Sequence, residues 1–406
     1  MKLVQKHAIA ALVGLAFTAT AGAKISGDVV RIGVLTDLAG PYADLTGPSS
    51  VAAAKMAVDD YLAASRSKLK VEVVSADHQH KPDLGSSIAR KWYDENGVDM
   101  IVDVPNSAVG LAVNHITREK NKVFINTGSG ATEMTGQYCS PNSISWMYST
   151  WMQAHGTASA LMQKGNDSWY FMTADYAFGK SLEKDAADVV EASGGKVAGK
   201  VRIPLGSSDF SSYLLQAQSS KAKVVGLALG GMDLINAIKQ ANEFGIVAAG
   251  QKLAGLTLFM SDVHSLGLKV AQGMYLTIPF YWNLNDNTRT WAKRFAQANK
   301  GKYPGEDQAG VYSGVMNYLR AVDELQDDSD GAAIVRQLKS KPTEDPIFGK
   351  GSVRADGRHL HPAYLYQVKT PGESKGAYDY LKLVETIPAD KAFRPMSEGR
   401  CELVGK

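Results

Sequence analysis

The feature that most constrains the fold is a regular alternation of short apolar runs with longer amphipathic segments. Predicted strands and helices alternate along the first part of the chain at residues 29–35, 51–58, 69–74, 84–93, 98–102, 109–120 and 122–125. Strands that are separated by helices of this length pair in parallel, and the helices cover both faces of the sheet. The pattern therefore predicts an α/β unit built on a parallel sheet.

The alternation stops at a polar and aromatic stretch, residues 139–152, and then begins again. The second series of predicted strands and helices lies at residues 168–172, 181–192, 196–203, 210–218, 223–229, 234–244 and 252–258. A chain of 406 residues is long enough for two domains that each have a full core. We therefore predict two α/β lobes, each with helices on both faces of a parallel sheet.

Residues 1–23 are typical of a secretory signal peptide. Lys2 and Lys6 precede a short apolar run, and the small residues at 20–23 suit a signal peptidase. A buried N-terminal helix is the alternative interpretation. No cysteine follows the run directly, which argues against a lipid anchor. We expect the mature chain to begin near Lys24 and to work outside the cytoplasm.

The charge of the chain argues against nucleic acid or an anionic membrane surface as a partner. The net charge is +3, and removal of Lys2 and Lys6 leaves +1. Such a balance gives no strong field toward polyanions. No later segment approaches the roughly 18 consecutive apolar residues of a membrane-spanning helix.

The chain has two cysteines, Cys139 and Cys401, whose separation excludes a C-x-x-C redox or zinc motif. In an oxidising compartment they can form one disulfide that ties the C-terminal tail to the body of the protein. Two free buried thiols are the alternative. We predict the disulfide.

Three loops that follow predicted strands have a composition suited to binding an anion. Residues 37–42, 103–107 and 126–130 are rich in glycine and in small or hydroxyl-bearing side chains. Ligands of open parallel sheets bind at the carboxyl ends of the strands, and backbone N–H groups in such turns can hold a carboxylate. Ordinary turns use the same residue types, so a binding edge and plain turn chemistry both remain open here.

The chain resembles the periplasmic solute-binding proteins of the leucine/isoleucine/valine-binding type, which serve ABC importers. The resemblance covers essentially the whole mature chain, and it rests on the order and spacing of segments 31–41 (RIGVLTDLAGP), 126–135 (NTGSGATEMT), 174–179 (ADYAFG) and 233–245. It implies the type 1 binding-protein fold, in which two lobes are joined by three hinge crossings and enclose the ligand. The implied division is signal peptide 1–23, first lobe 27–147 plus 281–358, second lobe 148–280 plus 359–390 and tail 391–406.

The resemblance also implies where a ligand carboxylate binds. Ser107 matches the serine that holds this group, and Gly128 matches a position that contributes backbone to it. Gly130 stands where the amino-acid binders have a threonine, with Ser129 beside it as a substitute hydroxyl. Phe178 replaces a tyrosine of the family.

The residues that would hold a ligand ammonium depart from the family pattern. Thr257 stands where amino-acid binders place a glutamate, and residues 252–261 contain no acidic residue. Burying an ammonium without a charged partner costs several kcal/mol, more than a neutral hydroxyl returns. The site therefore looks unsuited to an α-amino acid, although Asp233 or Asp175 offers an alternative partner.

We expect aromatic residues and two glycines to compensate for the missing charge of the family's glutamate. Gly230 and Gly231 remove side chains from the expected cleft wall, and an aromatic ring buries roughly 150–250 Å², worth about 4–6 kcal/mol. We expect about half of the rings to be hinge packing. The implied ligand is an aromatic or arylalkyl carboxylate of the phenylpropenoid type. The predicted ligand-binding residues are Tyr42, Asn106, Ser107, Thr127, Gly128, Ser129, Tyr148, Trp151, Tyr176, Phe178, Gly230, Gly231, Asp233, Thr257 and Tyr281.

An enzyme is disfavoured. The histidine pairs His78–His80 and His359–His361 have strand spacing for a metal, but no third ligand is recognisable and we expect surface histidines. Ser107 lacks the G-x-S-x-G flanks of a nucleophile, and no phosphate-binding glycine motif follows the first strand. We predict no catalytic residue, metal or cofactor. The expected partners of this monomer are its small-molecule ligand and the ABC permease. An amino-acid-binding protein and a ligand-sensing receptor domain are the alternatives.

Overall fold

The first lobe is built on a five-stranded sheet in the order β2-β1-β3-β4-β5, in which every neighbouring pair is parallel. The computed structural model describes residues 25–405, so the predicted signal peptide lies outside the described residues. The elements are β1 (Val30–Thr36), α1 (Gly47–Ser65), β2 (Val71–Asp77), α2 (Pro82–Asp94), β3 (Met100–Asp103), α3 (Ser107–Glu119), β4 (Val123–Asn126) and β5 (Ser143–Ser145).

The second lobe has a four-stranded parallel sheet in the order β7-β6-β8-β9. Its elements are α4 (Thr150–Met162), β6 (Ser168–Ala174), α5 (Ala177–Ala192), β7 (Lys196–Ile203), α6 (Ser211–Ser219), β8 (Val224–Ala228), α7 (Gly231–Glu243), β9 (Lys252–Gly255), α8 (Met260–Leu266) and α9 (Leu268–Ala271). The predicted two-lobed α/β fold is confirmed. The predicted strand 252–258 is too long, because the Leu258 amide turns back to the Gly255 carbonyl at 3.3 Å.

The C-terminal part adds two small antiparallel sheets, β10-β14-β15 and β11-β12-β13, which were not predicted. Its elements are β10 (Tyr275–Ile278), α10 (Asp286–Ala298), α11 (Glu306–Leu325), α12 (Gly331–Ser340), β11 (Thr343–Asp345), β12 (Gly349–Val353), β13 (His359–Leu360), β14 (Ala363–Val368) and β15 (Leu381–Ile387). Helix α11 packs along α1, where Tyr312 Oη donates to Asp60 at 2.7 Å. The exact lobe boundaries stay a prediction.

The central strands are buried on both faces, which explains their continuous apolar sequences. Every residue of β3, β4 and β8 is buried. Parallel strands that are covered by helices on both faces show this pattern rather than an alternation of polar and apolar residues. The carboxyl ends of β1, β3 and β4 meet at one edge, so the three loops singled out above lie together.

A disulfide joins Cys139 to Cys401 and closes the tail onto the first lobe. Arg394 Nη2 donates to the Thr132 carbonyl at 3.2 Å, and Arg118 pairs with Glu402 at 2.9 Å. The predicted disulfide is therefore confirmed, and the alternative of two free thiols is wrong.

The prediction that the paired histidines lie on the surface was wrong. His78 and His359 are fully buried, and His361 is 2% exposed. The His359 ring stacks on Trp146 with centroids 4.1 Å apart and lies 2.9 Å from the Thr343 hydroxyl. Within residues 25–405, no three His, Cys, Asp or Glu side chains have an arrangement that could hold a metal ion.

Over the same described span, none of the helices combines the length and the apolar character needed to cross a membrane.

Candidate ligand-binding site

The loop after β1 is organised by the Asp37 carboxylate. It accepts hydrogen bonds from the amides of Gly40 (2.6 Å) and Tyr42 (2.8 Å) and from His80 Nε2 (2.6 Å). Burial raises the pKa of Asp37, but the hydrogen bonds from His80 and from the amides outweigh it and lower the pKa to about 2. The ionised carboxylate therefore fixes Tyr42 at the edge of the sheet.

Tyr42 reaches from the first lobe to the second. Its hydroxyl lies 2.5 Å from that of Tyr176, and the Met232 amide donates to the Pro41 carbonyl at 3.1 Å. Gly231 has a φ of +54°, and a Cβ at this position would lie 2.5 Å from both Pro41 O and Tyr42 Cδ1. The space that the glycine leaves, which was expected to accept a ligand ring, therefore holds the ring of Tyr42.

The rings of Tyr148 and Phe178 close over the loop after β4. A Cβ at Gly130 would lie 2.8 Å from Tyr148 Cε2 and 3.1 Å from Phe178 Cε2. The Tyr148 hydroxyl donates to the Gly128 carbonyl at 2.7 Å. A Cβ at Gly230 would lie 3.8 Å from Phe178 Cε1, so Phe178 faces glycines of both lobes. This explains why glycine replaces the family's threonine at position 130.

Ser107 is the first residue of α3, where helix geometry favours an anion. Asn106 caps the helix by accepting from the amides of Ala108 (2.9 Å) and Val109 (3.2 Å). Ser107 is 1% exposed, and its hydroxyl oxygen accepts from the Ala131 amide at 3.2 Å. The N-terminus of a helix carries a partial positive charge, so Ser107 remains a suitable anchor for a carboxylate.

The other carboxylate donors expected in the loop after β4 are used inside the lobe. The Gly128 amide donates to the Asp103 carbonyl (3.2 Å), and the Ser129 amide donates to Asn126 Oδ1 (2.8 Å). The Ser129 hydroxyl donates to the Val104 carbonyl at 2.5 Å. These three groups are therefore not free to bind a ligand in this structure.

The two second-lobe acids offered as ammonium partners have different surroundings. Asp233 is 2% exposed, accepts from the Gly206 amide at 2.9 Å, and has a pKa that burial raises to about 6. Asp175 instead pairs with Lys180 at 2.9 Å on the outside. Thr257 is also buried, and its hydroxyl donates to Gln153 Oε1 at 3.4 Å. Of these two acids, only Asp233 is buried. It lies in the first turn of α7, the helix that begins at Gly231.

Two predicted site residues lie outside the cleft. Trp151 stacks on His155 with centroids 3.6 Å apart, beside an outer surface cavity that Lys391 also lines. Tyr281 donates to the Tyr378 carbonyl at 2.7 Å and packs against Tyr366. Both rings therefore serve packing around the lobe connections.

Four buried carboxyl groups, which were not predicted as site residues, converge around the beginning of α11. Asp103 ends β3, Asp262 lies in the first turn of α8, and Glu306 and Asp307 begin α11. None is more than 2% exposed. Burial raises the pKa of Asp262 to about 7 and that of Glu306 to about 8, and burial with the charges of the other three raises the pKa of Asp307 well above its usual range.

We expect the free energy of unfolding of the ligand-free protein to fall by a few kcal/mol as the pH rises from 4.5 to about 8, the interval over which burial shifts the pKa of Glu306. In this interval the folded protein keeps protons that the unfolded chain has released, so stability falls as pH rises. Denaturant unfolding at a series of pH values measures the slope. Glu306→Gln should make the slope shallower without removing it, because burial also raises the pKa of Asp262 and Asp307, and an unchanged slope in that variant would contradict this origin.

A profile of the periplasmic binding protein family matches residues 29–377. Because this range spans most of the chain, the protein belongs to that family, and the resemblance inferred from the sequence is confirmed. It is a periplasmic binding protein of the ABC transporter class, whose members are solute-binding transport proteins.

Two solved structures and one related sequence agree with this assignment. A periplasmic binding protein from Burkholderia mallei is 47% identical, covers 93% of this chain and 100% of its own, and superposes with a TM-score of 0.90. A branched chain amino acid ABC transporter periplasmic ligand-binding protein from Burkholderia xenovorans is 39% identical, covers 92% and 99%, and has a TM-score of 0.80. Leu/Ile/Val-binding protein homolog 6 of Brucella melitensis is 25% identical and covers 93% and 96%.

Proposed function

We propose that the protein is the monomeric periplasmic component of an ABC importer. It encloses a small aromatic or arylalkyl carboxylate between its two lobes and delivers this ligand to the membrane permease. The observation that carries the proposal is the meeting of rings from both lobes over the strand-end loops. Tyr42 and Tyr148 come from loops beside β1 and β5, and Tyr176 and Phe178 from the beginning of α5. Ser107 lies among these loops and supplies a carboxylate anchor.

The second lobe supports an aromatic ligand over a branched-chain amino acid. Thr257 occupies the place of the family's ammonium-binding glutamate and donates to Gln153, so this wall offers a neutral hydroxyl. A ring that is stacked between Tyr148 and Phe178 would gain apolar burial of about 4–6 kcal/mol. Aromatic packing can thus replace the ion pair that this wall lacks.

A solute-binding protein of similar fold has been solved with an aromatic acid. The protein, an ABC transporter component from R. palustris in complex with benzoate, is 19% identical, covers 89% of this chain and 97% of its own, and has a TM-score of 0.77. At this identity the likeness concerns the fold alone. It supports the proposal only in that two lobes of this architecture accommodate a ring with a carboxylate.

We expect Ser107→Ala to weaken the binding of an aryl carboxylate by about 1–3 kcal/mol, because a hydrogen bond to a charged group is lost. Isothermal titration calorimetry with benzoate, 4-hydroxybenzoate and cinnamate measures the change. Ser129→Ala is the matched control: its hydroxyl bonds inside the lobe, so affinity should stay within a few-fold of wild type. Equal losses in the two variants would argue against Ser107 as the anchor. Micromolar leucine binding with no aryl acid binding would overturn the ligand class and leave transport intact.

A further inference from the structure

His80 lies between the two first-lobe features on which the proposed binding site depends. Its Nε2 is 2.6 Å from the carboxylate of Asp37, which also holds the amide of Tyr42. Its Nδ1 is 3.2 Å from Nδ2 of Asn106, the cap of the helix that begins at Ser107. The His80 ring also packs edge-on against the Tyr42 ring, with centroids 4.9 Å apart. One side chain therefore contacts both the helix that carries the carboxylate anchor and the loop that reaches the second lobe.

The orientation of Asn106 determines which nitrogen of the His80 ring carries the proton. Asn106 Oδ1 accepts from the amides of Ala108 (2.9 Å) and Val109 (3.2 Å), so Nδ2 is the atom that faces His80. An amide NH₂ group only donates, so His80 Nδ1 accepts and carries no proton. The proton then lies on Nε2, which donates to the Asp37 carboxylate. These contacts select the neutral ring with its proton on Nε2.

Protonation of His80 is incompatible with this arrangement. A proton on Nδ1 would place an N–H donor against the Nδ2 donor of Asn106. Either the ring leaves Asn106, or the Asn106 amide turns over and withdraws its oxygen from the helix cap. The charged ring would still be held by Asp37, so the link to Asn106 is the one that breaks. Both changes alter the beginning of α3, where Ser107 lies.

The other titratable groups around His80 come from the loop after β1, from its own loop and from α7. Despite the burial of Asp37, its hydrogen bonds lower its pKa to about 2, so it stays ionised. Burial lowers the pKa of His78 to about 3 and raises that of Tyr42 well above its usual range, so both stay neutral. Burial raises the pKa of Asp233, which feels the charge of His80, to about 6. Asp233 therefore titrates in the range of interest and needs its own control variant. The first turn of α3 has no acidic residue.

We infer that neutral His80 is a positioning residue, which holds the beginning of α3 and the Tyr42 loop in one arrangement, and that its protonation weakens ligand binding. The inference rests on the proposed function, because Ser107 is the proposed carboxylate anchor. The Tyr42 hydroxyl lies 2.5 Å from that of Tyr176 in the second lobe. A shift of the Tyr42 loop therefore also changes the contact between the lobes, and binding and closure respond to the same proton.

The test follows affinity by calorimetry from about pH 8 to about pH 5.5, with 4-hydroxybenzoate, cinnamate and leucine as probes. We expect wild type to lose about fivefold in affinity for the aryl acids, roughly the effect of a lost helix cap. Glutamine offers one donor and one acceptor but does not titrate. His80→Gln should therefore bind like wild type at the higher pH and lose most of the pH dependence, whereas His80→Ala should bind weakly throughout.

Two control variants separate His80 from other titrating groups. Asp233→Asn removes the carboxyl group that titrates in the same range, and it should keep most of the wild-type loss of affinity. His115→Gln changes an exposed histidine on α3 itself and should leave the pH profile unchanged. A profile that Asp233→Asn flattens and His80→Gln does not would overturn the inference.

A measurement on ligand-free wild type covers the case in which the His80 variants fold poorly. In protein labelled with isotopic nitrogen in its histidines, NMR distinguishes protonated from unprotonated ring nitrogens. At about pH 8 we expect His80 to carry its proton on Nε2 and none on Nδ1. A proton on Nδ1 at this pH would overturn the inference, whatever ligand the protein binds.

The outcomes separate this inference from the proposed function. Aryl acids that bind in a Ser107-dependent way, with equal pH profiles for wild type and His80→Gln, would overturn the role of His80 and leave the ligand class intact. Affinity that rises as the pH falls, and does so only with His80 present, would also overturn it, because His80 would then act as a cation for the carboxylate. Binding of leucine alone, with a pH profile that His80→Gln flattens, would support His80 and overturn the aromatic ligand.

Discussion

Replacing Gly231 by alanine is expected to weaken ligand binding by about ten- to a hundredfold. The new Cβ would lie 2.5 Å from Pro41 O and from Tyr42 Cδ1, which belong to the other lobe. Overpacking of this kind costs about 1–3 kcal/mol, and the hydrogen bond from the Met232 amide to Pro41 contributes about 1 kcal/mol. The clash exists only when the two lobes are together, so the substitution lowers the fraction of protein molecules in the closed state. The apparent affinity for the ligand falls with that fraction.

Gly230→Ala provides a control that differs by one position. Gly230 has a φ of −143°, and its Cβ would lie 3.5 Å from Tyr42 Oη, an ordinary contact. We expect its affinity to stay near that of wild type. Small-angle scattering gives a second measurement: saturating ligand should reduce the radius of gyration of wild type and Gly230→Ala but not of Gly231→Ala. A Gly231→Ala variant that closes and binds normally would show that this contact does not contribute to closure.

The two parallel sheets could be predicted because their sequence signal is local. A strand that helices cover on both faces is a continuous apolar run, and the helices between the strands show their own period. The antiparallel sheets of the C-terminal part gave no such signal. Their pairing depends on distant partners, as when Tyr275 faces Gln367, and strands such as β13 have only two residues.

The site was predictable only where its chemistry is local. The predicted loop 103–107 before the predicted helix 109–120 puts Asn106 and Ser107 near a helix beginning, and the structure begins α3 two residues earlier than predicted, at Ser107, with Asn106 as its cap. The fit of Tyr42 against Gly231 could not be predicted, because it depends on how one lobe meets the other. Asp307 was missed for another reason: acids in the first turn of a helix usually complement its dipole in solvent, and only the fold buries this one.

Removing the disulfide is expected to have the largest effect on stability. We expect the double variant Cys139→Ser, Cys401→Ser to lose about 2–5 kcal/mol of unfolding free energy. The bond joins residues 262 positions apart, so its loss frees a very long loop in the unfolded chain. In the chain-entropy model a loop of about 100 residues already corresponds to roughly 4.7 kcal/mol. The tail keeps its other contacts, from Arg394 to Thr132 and from Glu402 to Arg118, so the native fold should persist at moderate temperature.

Denaturant unfolding of the double variant, beside wild type with and without a reducing agent, measures this loss. Reduced wild type should unfold at the same denaturant concentration as the double variant, and oxidised wild type at a higher one. Ligand affinity, measured well below the unfolding transition, should change little, because neither cysteine is among the residues that meet over the strand-end loops. Equal midpoints for oxidised and reduced wild type would mean that the cross-link does not restrict the unfolded chain as the entropy model requires. A loss of affinity with unchanged stability would instead place the tail in the mechanism of closure.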